Sequence, residues 1–373
     1  MLRSGMRSEE RLLLSLLRAF VSRRLGHSVE LESRFAPDWH RFVEIARDQK
    51  LTPVLYALMR EQLWQDAPQF VADAMRKGAM DGAVSNAILE REALRVIRRL
   101  NQGGVTALVY KGLVLGETLY GDTSLRPHQD LDLMLRSSDV AAAVELLCAE
   151  GYEPEPELAR ATPKEWRHWC ELNFDRKIAE GLSGRFHVEL HWRVLPGFTG
   201  IVAGDAEDMV RRRRTLRLSG LEVFVPDPVD HFLALALHGA KHRWEELRLV
   251  LDVALLAATL STDDVQVLRA RAQEQRVRRL TSLALRLGER LGGPALASPD
   301  DEVDALADEA EHRIFSPSVR RRFTDATFLL RCLDSWTDVG RYLTARARAE
   351  VDRPNWRRNI SHAFGRALEL FRA

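Results

Sequence analysis

The segment Asp130–Leu135, DLDLML, constrains the fold more than any other stretch of this 373-residue chain. Side chains alternate faces along a β-strand, so Asp130 and Asp132 point one way while Leu131, Leu133 and Leu135 point the other. The leucine face demands a packed core. The aspartate face holds two carboxylates close enough to repel, and a buried pair of like charges needs a compensating cation. A two-faced strand that shows its polar side to water gives the same pattern, so the pair alone leaves both readings open. An oxygen-seeking ion such as Mg²⁺ is one way to satisfy it, because Mg²⁺ works with a few carboxylates and substrate phosphates.

The residues around this strand set its context. From residue 8 to about 102 the pattern is helical. SEERLLLSLLRAFVSRRLG has an apolar face, helical spacing runs up to and past Pro53, and SNAILEREALRVIRRLNQGG stops on Gly103–Gly104. VTALVY (105–110) then reads as a strand, followed by Lys111–Gly112 and a short helix in LVLGETLY. After the acid strand, Ser137 and Ser138 can cap a helix that ends at Gly151. LNFDRKIAE and RFHVELHWRV flank GLSG as a hairpin, and LEVFVP is a last strand before Asp227–Pro228. The remainder is helical, including the acidic stretch 298–313, which reads as a solvated helix.

The predicted fold class is therefore α+β: a small mixed sheet of about five strands, flanked by helical regions at both ends. The boundaries read as an N-terminal helical region over 1–102, an α/β core over 103–226 and a C-terminal helical domain over 227–373. In RFHVELHWRV, Val188, Leu190 and Trp192 take one face, while His187, Glu189, His191 and Arg193 take the other. Glu189 is thus a candidate third carboxylate, with His191 placed to orient it. Three uncompensated acids on one face should repel, so neutralising one is expected to leave the metal-free fold intact.

Together these residues resemble a known family. VYKGLVLGETLYGDTSLRPHQDLDLMLRSSDVAAAVELLCAEGY (109–152), followed by HVELHW (187–192), is similar to the uncharacterised nucleotidyltransferase-like group of the polymerase-β-type nucleotidyltransferase superfamily. That pattern has a glycine-containing strand-to-helix turn, a D-x-D strand and a third acid on another strand. The resemblance maps the turn to Lys111 and Gly112, the pair to Asp130 and Asp132, and the third acid to Glu189. It implies that these three acids are the catalytic and metal-binding residues, with Mg²⁺ or Mn²⁺ as cofactor. A nucleoside triphosphate, ATP first, would donate a nucleoside monophosphate to a hydroxyl of a small molecule, peptide or protein. Lys111, Gly112, Arg126, Lys241 and His242 are the expected nucleotide-binding residues, supported by His191 and His238. One departure stands out: the superfamily places serine after the glycine, where this chain has Leu113. An alternative is therefore a catalytically inactive protein of this fold that binds a ligand or partner.

His238 and His242 have the i,i+4 spacing of a helical zinc site, but no glutamate follows His238, so the zincin pattern HExxH is absent. Composition narrows the rest. A net charge of +1 and no interleaving of basic and aromatic residues count against nucleic acid as the partner. Three scattered cysteines, Cys148, Cys170 and Cys332, suit reduced thiols rather than a disulfide framework. No apolar run approaches the roughly 20 residues that span a bilayer. The N-terminal LLLSLL, set between Glu9–Arg11 and Arg18, reads as an amphipathic helix rather than a signal peptide. The expectation is a soluble cytoplasmic protein without a membrane partner.

Overall fold

A computed structural model of the chain describes residues 6–27, 36–62, 67–155, 168–177, 184–315 and 322–352. Among the described residues, four helices come first, Ser8–Arg24, Trp39–Asp48, Thr52–Gln62 and Gln69–Gln102. The spacing that ran through Pro53 is not one helix. The chain breaks after Asp48, with Lys50 at φ 57°, and restarts so that Pro53 lies in the first turn of the next helix. There its missing N–H and fixed φ cost nothing. The long fourth helix ends at Gly103–Gly104 as its glycines predict. Gly104 is left-handed at φ 75°, its N–H reaches Asn101 O, and Val105 N–H reaches Leu100 O.

Among the described residues, seven strands make one mixed sheet. They are β1 (Ala107–Val109), β2 (Asp130–Leu135), β3 (Glu153–Pro154), β4 (Glu171–Lys177), β5 (Arg185–His191), β6 (Arg214–Leu218) and β7 (Leu221–Val225), in the order β3-β4-β5-β2-β1-β7-β6. The central strand β2 runs parallel to β5 and antiparallel to β1. β4 and β5 pair antiparallel, as their sequences suggested, although most of the GLSG loop joining them lies outside the described residues. The two strands beyond the five expected are the edges. β3 has two residues, too few to show a period, and β6 is RTLRL, whose arginines read as a surface cluster.

The two sheet faces differ as the alternation requires. Leu131, Leu133, Leu135, Leu172, Phe174, Val188 and Leu190 are buried in one core with Leu89, Val96, Ile97 and Leu100 of the long helix and Ala143 and Leu147 of the helix Val140–Ala149. The opposite face meets the second core, which joins N-terminal helices (Leu13, Leu17, Phe42, Leu55) to C-terminal ones (Phe232, Leu251, Leu283, Leu306). Those C-terminal helices begin with Pro228–Lys241 and Leu247–Ala257. Asp227 caps the first of them, accepting from Asp230 N–H, ahead of Pro228. The helices separate at residues 242–246, where Arg243 and Trp244 take φ 53° and 56° and the Trp244 indole turns in against Gly239. The acidic stretch is a helix, Asp301–Phe315, that buries Val303, Leu306, Ala307 and Ala310. No described helix is long and apolar enough to cross a membrane.

Candidate functional site

The polar face of the central strands carries the candidate site. The parallel register sets Asp130 beside His187, Asp132 beside Glu189 and Met134 beside His191. Partners in a parallel ladder share a face, so the two aspartates, Glu189 and His191 lie on one side of the sheet. Asp132 and His191 are fully buried, while Asp130 and Glu189 are half-buried. β1 runs antiparallel to β2 with Val109 opposite Leu133, which delivers Lys111 alongside the acids. Its ammonium forms an ion pair with Asp132.

His191 joins the acids from the other side. Its Nε2 lies 3.2 Å from Asp132 Oδ1 and 3.0 Å from Glu189 Oε2. Burial disfavours its charged form, but Asp132, Cys170, Glu171 and Glu189 around it outweigh burial and raise its pKa well above the ordinary value. Burial likewise pushes Glu189 up. Hydrogen bonds from His187 and His191, with the charges of His191 and Lys111, win and hold that carboxyl well below the usual range. Asp130 is the exception: burial first, and then the charge of Asp132, raise it. The acids are thus not the uncompensated cluster expected from sequence. Lys111 already pairs with Asp132, and His191 with Asp132 and Glu189, within the protein.

The end of the helix Pro228–Lys241 closes over this face. Lys241 Nζ donates to Glu171 at 2.8 and 3.2 Å, and His238 Nδ1 lies 3.5 Å from Lys111 Nζ. Burial and then the Lys111 charge hold His238 well below its ordinary pKa, so it stays neutral and can accept from the ammonium. The His242 ring packs 4.5 Å from that of His238. Two of the nucleotide-binding candidates, Lys241 and His242, and the supporting His238 therefore line the same cleft as Lys111.

Gly112 and Arg126 are placed differently. Gly112 has φ 58° and ψ −121°, a conformation that only glycine adopts freely, and it turns the chain from Lys111 into the helical residues Leu113–Leu115. Arg126 is 2% exposed and lies behind that turn. Its Nε and Nη2 donate to Asp252 at 2.9 and 2.7 Å, and its Nη1 donates to Gly112 O at 3.4 Å. Tyr120 Oη donates to the same carboxylate at 2.8 Å. The geometry makes Arg126 the brace of the Gly112 turn.

Three residues absent from the sequence-based site stand in it: Cys170, Glu171 and His187. His187 donates from Nδ1 to Asp175 at 3.0 Å, and Glu189 with Asp175 raises its pKa to about 9. Glu171 faces His191 across the β4–β5 ladder. A signal for it existed, since Glu171, Asn173 and Asp175 alternate with Leu172 and Phe174, and pairing the hairpin through that polar face places Glu171 on His191.

The family model described as uncharacterised nucleotidyltransferase matches residues 36–293, a span that contains every residue above. The chain belongs to that family. No curated protein matches it. The family description supports a transferase and implies a nucleoside triphosphate as substrate, and a divalent metal is usual for such chemistry. The side chains fit one: among the described residues, donor atoms of Asp132, Glu189 and His191 all lie within 4.8 Å of one another. Lys111 pairs with Asp132, and His191 with Asp132 and Glu189, so their cationic groups stand where an added cation would bind.

Proposed function

We propose that the chain is an Mg²⁺-dependent nucleotidyltransferase that moves a nucleoside monophosphate from ATP, or another NTP, to a hydroxyl of a small molecule, peptide or protein. The observation that carries this reading is the facing pair Asp132 and Glu189 on parallel strands, with Asp130 at the mouth of the same face. Asp132 and Glu189, with Asp130 beside them, would hold Mg²⁺ or Mn²⁺, which would supply positive charge to the phosphates as the acceptor oxygen enters and pyrophosphate leaves. Lys111 would move from Asp132 to phosphate as the nucleotide binds. Glu189, ionised and held by His191 and His187, would orient the acceptor hydroxyl by accepting its hydrogen bond. Lys241 and His242 would form the wall facing the nucleotide. Arg126 would act through the turn it braces.

The second reading, ligand binding without transfer, is favoured by two observations: Lys111 neutralises Asp132 internally, and Leu113 follows Gly112. Incubation with radiolabelled NTPs and Mg²⁺ or Mn²⁺ distinguishes them. Transfer of label, lost in Asp130→Asn and Asp132→Asn, supports the enzyme. An Mg²⁺–ATP melting shift with no transfer to any acceptor supports the binder. Neither label nor shift removes both.

A further inference from the structure

His191 has a second nitrogen, and nothing above uses it. Nδ1 points away from Asp132 and Glu189, towards the start of β4. It lies 3.1 Å from Glu171 Oε2 but out of line for a hydrogen bond, and it has no hydrogen-bond partner although His191 is 1% exposed. The charge of Glu171 holds this nitrogen, but its own hydrogen-bonding direction is left unfilled, and its position suits a further ligand. Beside it is Cys170, a reduced thiol that is 3% exposed, with its Sγ 3.3 Å from Glu171 Oε2. The donor atoms of Cys170, Glu171 and His191 lie within 4.8 Å of one another. A cation already occupies part of this space: the Lys241 ammonium sits on both oxygens of Glu171.

We infer that Cys170, Glu171 and His191 Nδ1 form a second cation site, distinct from the carboxylate side of the cleft, that takes a thiophilic divalent ion, Zn²⁺ first. One sulfur, one imidazole nitrogen and one carboxylate are a donor set that zinc accepts, and three protein ligands leave a fourth position open. Hard and soft donors divide the ring of His191 between them. Mg²⁺ prefers the all-oxygen side at Asp132 and Glu189, whereas thiolate selects zinc-like ions. On binding, the Cys170 S–H and His191 Nδ1–H bonds break, both protons leave to solvent, and the freed sulfur and nitrogen lone pairs form the bonds to the metal. Lys241 then leaves Glu171 and turns back towards the cleft. The site needs no nucleotide transfer and stands even if that activity is absent.

Cd²⁺ is the probe, because a cadmium–thiolate bond gives an ultraviolet charge-transfer band that carboxylates and imidazole do not. The metal-free full chain titrated with Cd²⁺ should develop the band to saturation at one equivalent, and Zn²⁺ should displace it while excess Mg²⁺ does not. Cys170→Ser should abolish the band. Cys148→Ser, which removes the exposed thiol, and Asp132→Asn, which removes the carboxylate side, should keep it. Glu171→Gln should retain the band but need about tenfold or more Cd²⁺ to reach half-saturation, since groups merely supporting a metal ligand are already worth 10–100-fold. Circular dichroism of each variant confirms folding, and if Cys170→Ser fails to fold, Glu171→Gln decides by its midpoint. A band that survives Cys170→Ser, that is lost with Cys148→Ser, or that never forms in the folded wild type overturns the assignment. An unshifted Glu171→Gln midpoint does the same.

Discussion

Arg126→Met tests whether the buried arginine braces the glycine turn or meets nucleotide. In the native chain Arg126 and Asp252 are 2% and 1% exposed and share two hydrogen bonds, at 2.9 and 2.7 Å. Removing the guanidinium leaves the Asp252 carboxylate buried with the Tyr120 hydroxyl still donating to it. Breaking one side of a buried ion pair costs about 3–5 kcal/mol. At about 2.1 cal/mol/K per residue, a chain of 373 residues unfolds with an entropy of roughly 0.8 kcal/mol/K, so Tm should fall by about 4–6 °C. The double variant Arg126→Met/Asp252→Leu removes both charges and should recover much of that loss, giving strong non-additivity in a double-mutant cycle. Scanning calorimetry of the ligand-free chains measures all four corners. An Arg126→Met protein that melts with the wild type, yet loses the Mg²⁺–ATP shift, would refute the brace and return Arg126 to the nucleotide. Additive single and double effects would refute the coupling.

Three further outcomes are expected. Asp132→Asn leaves buried Lys111 without its carboxylate, so the ligand-free variant should lose about 3 kcal/mol in urea unfolding; unchanged stability would restore the idea of a self-repelling cluster. His231, whose Nε2 donates to Tyr110 O at 2.7 Å, is held at about 4 by burial and then by the Arg126 charge. The unfolded chain takes up that proton near pH 6.5 and the folded one does not. Stability should therefore fall between pH 6.5 and 4, by on the order of 3 kcal/mol from this group, with His231→Gln flattening the slope. Gly239→Ala would drive its methyl into the buried Trp244 ring and should cost about 1–3 kcal/mol; equal urea midpoints would show that the ring can shift freely.

Strand alternation made half of the candidate site legible. A period of two fixes faces without any knowledge of neighbours, so Asp130 could be grouped with Asp132 and Glu189 with His191 from their own segments, while their sharing one side of the sheet rests on the β2–β5 register. Gly112 was legible through the family resemblance, whose pattern places a glycine in the turn after the strand. Other residues gave no such signal. Arg126 and Asp252 meet across 126 positions, and nothing local in RPHQ or VLDVAL says that one serves the other. Lys111 looked like a free phosphate ligand because its partner Asp132 was assigned to metal alone. Glu171 and Cys170 needed the exact hairpin register, and the helix at Pro53 needed a backbone break that hydrophobic spacing does not encode. The family match extends over these residues without distinguishing their roles.

The two edges of the sheet bear on how the molecule meets its surroundings. One edge is a two-residue strand containing Pro154, which has no N–H to offer a further strand. The other, Arg214–Leu218, pairs only with β7 among the described residues and carries Arg214 and Arg217 at its margin. Short, proline-containing and charged edges all discourage strand addition. Two copies meeting edge to edge would bring arginine against arginine, and a peptide seeking to extend the sheet would find few unpaired groups in register. Association through a continuous sheet is thereby disfavoured at both described edges. Replacing both arginines with valine would reopen that route, converting a guarded border into a template for aggregation.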